Sequence, residues 1–117
     1  MRVTGIDERN LDCERTSANF VVFVYEGGGD SRSWSVDSYL LTEAHLSQVL
    51  SWLTDNLPAG SCWALGVVED PSDPTPRSDL RVSWVVGADV LNQSGLSPEE
   101  QRVAEAMIAR RHHVAFP

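Results

Sequence analysis

Lysine is absent from the 117-residue chain, whose nine basic residues are all arginine. Isoleucine is nearly absent, with two residues against fourteen valines. Lys and Ile codons are A/T-rich, so the bias reflects a GC-rich genome, and a given Arg is not by itself a chosen guanidinium. Cysteine is scarce: Cys13 and Cys62 allow one bridge but exclude a disulfide framework. No apolar run approaches the roughly 20 residues of a membrane-crossing helix, so no membrane role is expected. The first eight residues hold no apolar h-region and turn acidic at once. A secretory signal is therefore not expected, and a cytoplasmic location is.

What is present is acid. The net charge is −8 and the sequence pI about 4.6. Such a chain repels phosphate backbones, which argues against a nucleic-acid partner, and anionic membrane surfaces are disfavoured for the same reason. A basic protein would be attracted. Acidity that merely keeps the domain soluble is the plainer reading. Apolar residues make up 42% of the chain, ordinary for a globular protein, and the length fits one domain over 1–117.

Residues 1–17 mix charges with isolated apolar anchors and read as an irregular arm. Ala18 to Tyr25 is apolar on both strand faces and rich in β-branched and aromatic residues. Gly27-Gly28-Gly29 then breaks the chain. A second strand follows from Trp34 to Leu40, in which Trp34, Val36 and Leu40 alternate with a wetter Ser35, Asp37 and Tyr39. Thr42 is the expected N-cap of a helix with a stripe of Leu46, Val49, Leu50, Leu53 and Leu57. Cys62 to Glu69 and Leu80 to Val86 read as two further strands. Between them, 70–79 contains three prolines and reads as an exposed acidic loop. Ser97-Pro98-Glu99-Glu100 is a capping box with proline at the first helical position. It opens a helix to about Arg111 with an inner stripe of Val103, Ala106, Met107 and Arg110.

The order ββαββα predicts an α+β domain of two layers. A mostly antiparallel sheet of four to five strands carries both helices on one face. The surplus apolar residues of Ala18 to Tyr25 would then point to an open face, covered by a dimer or partner contact or by the N-terminal arm.

Chemical motifs are sparse. Gly60-Ser61-Cys62-Trp63 resembles the end of the nucleophile segment of papain-like cysteine proteases. In that family the cysteine heads a helix, whose dipole lowers the thiol pKa, whereas here the following residues read as a strand. A buried, inert thiol is expected. His112 and His113 are adjacent and diverge on a strand, and no metal-ligand spacing occurs, so no metal is expected. Gly27–Gly29 lacks a following helix and a lysine, which argues against a phosphate or dinucleotide cofactor.

Two function classes remain. The first is a noncatalytic protein-binding domain, of the immunity, inhibitor or chaperone kind, acting by charge and shape complementarity. Its partner would be a protein, basic in character, or a second copy in a homodimer. The binding residues expected for it are Trp34, Asp37, Tyr39, Asp70, Asp73 and Asp79. The second class is a small α+β enzyme or ligand-binding domain with a pocket between sheet and helices.

Overall fold

The computed structural model describes residues 1–7, 9, 17–29, 32–69, 81–111 and 114. The expected acidic loop at 70–79, the histidines 112 and 113, and Cys13 with its possible bridge lie outside the described residues. The elements are β1 (Ala18–Gly29), β2 (Arg32–Ala44), α1 (Leu46–Asn56), β3 (Cys62–Val68), β4 (Val82–Val86) and α2 (Pro98–Ala109). The strands form one sheet in the order β2-β1-β3-β4, with antiparallel neighbours throughout. The α+β class, the ββαββα order and the antiparallel sheet are those the hydrophobic periodicity indicates.

The central position of β1 explains its apolar character on both faces. Val24 lies opposite Trp63, Val22 opposite Leu65 and Phe20 opposite Val67, so these six side chains share one face. Val49 and Leu53 of α1 close over that face. Tyr25, Cys62 and Ala64 point the other way and meet Ala104 and Met107 of α2, with Val90 from the preceding segment. The helices therefore sit on opposite faces, and the molecule has three layers rather than two. This corrects the expectation of both helices on one face. The reason lies in β1 and β3: each is buried on alternate residues in both directions, so each face needs its own cover.

Helix α1 begins later than expected. Thr42 lies within β2, which stays paired to β1 as far as Ala44 opposite Ala18. His45 is the N-cap instead, and its N–H donates to Oε1 of Gln48 at 2.8 Å. Val49 and Leu53 are fully buried, while Leu46, expected in the stripe, is exposed. At its far end the Leu57 N–H donates to the Leu53 carbonyl at 2.8 Å, and Pro58 stops the helix.

The capping box of α2 forms as read: Glu100 N–H donates to Ser97 Oγ at 3.1 Å, and Ser97 N–H to Glu100 Oε1 at 3.0 Å. Its inner stripe is shifted. Ala104 and Met107 are buried and Val103 half-buried, while Ala106 faces water. A second shift occurs in β4, where the register slips between Leu65 and Gly66. Trp84 stays on the α2 side opposite Gly66, and Val86 crosses to the α1 side opposite Leu65. The expected single face of Val82, Trp84 and Val86 is thus split by a bulge. Gly66 leaves the space that Val82 and Trp84 fill, since a Cβ there would overlap Val82 Cγ1.

Candidate protein-binding surface

Strand β2 is a sheet edge of 13 residues, and it carries three of the expected binding residues. Asp37 and Tyr39 point to the α1 side and are exposed; Trp34 points to the α2 side and is half-buried. The three share one strand but lie on its two faces, as their alternation in the sequence indicates. Asp70, Asp73 and Asp79 lie outside the described residues.

Trp34 is held as a clasp. A Cβ built at Gly28, whose φ is 45°, would fall inside the Trp34 indole, so the glycine backbone packs directly against the ring. The Arg111 guanidinium sits 5.2 Å from the ring centroid, and its Nε donates to the Gly60 carbonyl at 3.0 Å. The Asn92 side chain bonds the Trp34 backbone twice, accepting from its N–H at 2.8 Å and donating to its carbonyl at 2.9 Å. These contacts tie the hairpin, the 58–61 turn, the 87–97 segment and the end of α2 together. Arg110, expected in the inner stripe of α2, is half-buried and lies 5.9 Å from the Trp63 ring centroid.

Tyr39 is 41% exposed and meets Trp52 of α1 edge-on, with ring centroids 4.9 Å apart. Asp37 precedes Tyr39 by two residues on the same face. Asp55 follows Trp52 by one helical turn and is exposed. No arginine lies within α1. The result is an aromatic pair framed by two carboxylates. Trp52 and Asp55 were not among the expected residues; the i, i+3 spacing was visible, but the apposition of α1 to β2 was not.

On the α2 side the edge is greasy. Val36 is 38% exposed and Leu40 44%, although their alternation with Ser35, Asp37 and Tyr39 marked them as the inner face. Helix α2 packs chiefly over β3, which leaves Val36 and Leu40 exposed. At the described start of the arm, Met1, Val3 and Ile6 are likewise exposed.

Two described groups that could carry chemistry, Cys62 and Tyr25, are committed to the core. Cys62 is fully buried in a strand, and burial pushes its thiol pKa up against the opposing pull of Arg111 and Arg110. That is the reverse of a thiolate nucleophile. The Tyr25 ring is fully buried, and its hydroxyl donates to Asp89 Oδ1 at 2.7 Å; burial first, and then Asp89, raise its pKa. Among the described residues no three His, Cys, Asp or Glu side chains gather where a metal could be held. No described helix is long and apolar enough to cross a membrane. No protein-family model matches the chain, and no curated protein or solved structure matches it significantly.

Proposed function

We propose that the chain is a noncatalytic protein-binding domain that engages a basic protein through the surface formed by β2 and α1. The observation that carries this is the pair of exposed Tyr39 and half-buried Trp52, framed by Asp37 and Asp55. Aromatic rings supply contact area at low entropic cost and recur among the energetic centres of interfaces. Flanking carboxylates steer a positively charged partner and reject an acidic one. The chain's net charge of −8 adds a long-range field of the same sign. The desolvated thiol of Cys62 supports the same reading by removing the nucleophile that the Gly60–Trp63 tetrapeptide suggested.

The test is capture from native lysate at low salt on immobilised protein. A basic protein is expected to be retained by the wild type. It should be lost from Asp37→Arg, whose melting temperature stays close to wild type because the site is exposed, and from Tyr39→Ala, which stays folded but melts lower because it gives up its packing on Trp52. Salt of about 0.5 M, which shortens the Debye length to a few ångströms, is expected to release it. Retention that is equal on wild type and both variants, or no retained protein at low salt, contradicts the proposal.

A further inference from the structure

The outer edge of β2 carries a second kind of surface. The N–H and C=O of one strand residue point to the same side, and those of its neighbours to the other. Asn92 holds both backbone groups of Trp34, so these face away from β1. Alternation then turns the N–H and C=O of Val36, Ser38 and Leu40 outward as well, while Ser35, Asp37, Tyr39 and Leu41 bond β1 across the regular register. At the Trp34 end the edge is sealed, because the Asn92 amide occupies the place of a neighbouring strand. At the other end Glu43 adopts φ 49° and the pairing shifts, bending the strand. Between the two lies a short stretch, Val36, Ser38 and Leu40, whose outward backbone groups bond no other described residue. It has neither proline nor lysine, the usual devices that blunt an edge.

We propose that this edge pairs antiparallel with β2 of a second copy, about a two-fold axis at Ser38. The axis must stand normal to the sheet, so residues opposite each other share a face. Centring on Ser38 sets Val36 against the second copy's Leu40, and Leu40 against its Val36. The exposed apolar side chains then close in two pairs, one on each side of the Ser38 pair, beside Val21 and Phe23 of β1 on the same face. On the other face Asp37 comes opposite the second copy's Tyr39. Centring on Asp37 instead sets two carboxylates directly against each other, which is destabilising in a cross-strand pair. Centring on Tyr39 pairs Val36 with Thr42 and Asp37 with Leu41, so apolar surface stays open. Ser38 is the centre at which charge, hydrophobicity and backbone groups all agree. The inference stands apart from the basic-partner reading, although the pairing would bring two copies of the Asp37–Tyr39 face side by side.

The experiment is sedimentation equilibrium on the purified chain alone, from about 10 μM to about 1 mM, the range suited to a small interface. The expected mass rises with concentration toward twice the 12.9 kDa of one chain. Val36→Lys with Leu40→Lys places like charges opposite each other at the seam and is expected to give a folded monomer throughout, with a melting temperature that does not depend on concentration. Val85→Lys, at an exposed position on the opposite edge strand, is expected to leave the dimer intact. A wild type that stays monomeric over the whole range overturns the proposal. So does a dimer that survives the double substitution, or one abolished by Val85→Lys. Because no second protein is present, failure here is distinct from failure of the capture assay.

Discussion

Cys62 shows how little a local motif says without its fold. The tetrapeptide around it matches a nucleophile segment, yet its thiol lies on a central strand with no exposed surface. In a Cys13→Ser background, alkylation of Cys62 by iodoacetamide at neutral pH is expected to be at least about a thousandfold slower than in denaturant, because only the unfolded fraction reacts. Rapid alkylation of the native protein would place the thiol elsewhere. Titration gives a second reading. The folded thiol holds its proton more tightly than the unfolded one. Its contribution to stability is therefore complete below the unfolded thiol's value, about 8.5, and is lost as pH rises through the higher folded value. An alkaline series of thermal melts is expected to fall less steeply for Cys62→Ala than for Cys62. Tyr25 adds a loss of the same sign at higher pH, since its pKa is raised as well.

At the level of elements, the sequence was most legible where a signal is local. The capping box of α2 needs four residues and was read as it stands. Ser97→Ala is expected to cost about 1 kcal/mol by removing the acceptor of the Glu100 N–H, measured as a lower midpoint in urea. An unchanged midpoint would mean that the helix start is held by something else. The backbone N–H of Ser97 keeps the Glu100 carboxyl below its usual range, so that part of the stability is present above the unfolded carboxyl value and lost as pH falls through the folded one. What was not legible depends on partners distant in sequence. Thr42 is a sound cap by type, but continued pairing of β2 with β1 overrides it. The β4 bulge moves Val86 to the other face without leaving a mark in its own alternation. In the α2 stripe Ala104 takes the place expected of Ala106, because the two look alike to periodicity and only the packing of α2 against Tyr25 and Cys62 decides between them. The opposite placement of the helices follows from β1 and β3 being apolar on both faces, a clue that also fits a single covered face with an external partner.

Over the whole molecule, the consequence of that three-layer arrangement is an exposed edge. Each helix covers the middle of its own face, and β2 is left with one polar-aromatic side and one aliphatic side. The candidate residues Asp37 and Tyr39 were readable as the wet positions of a strand. Trp52, Asp55, Val36 and Leu40 join them only through tertiary placement, which is why most of the surface was hidden in the sequence. The pairing of two copies rests on β2 being open along its outer side, and the basic-partner surface lies on the same strand. Amide hydrogen exchange followed by NMR on a dilute sample, at about 10 μM, reads this residue by residue. Fast exchange is expected at Val36, Ser38 and Leu40, with slow exchange at the intervening Asp37 and Tyr39. Slow exchange at all five would mean that the edge is already covered within one chain, and would contradict the account.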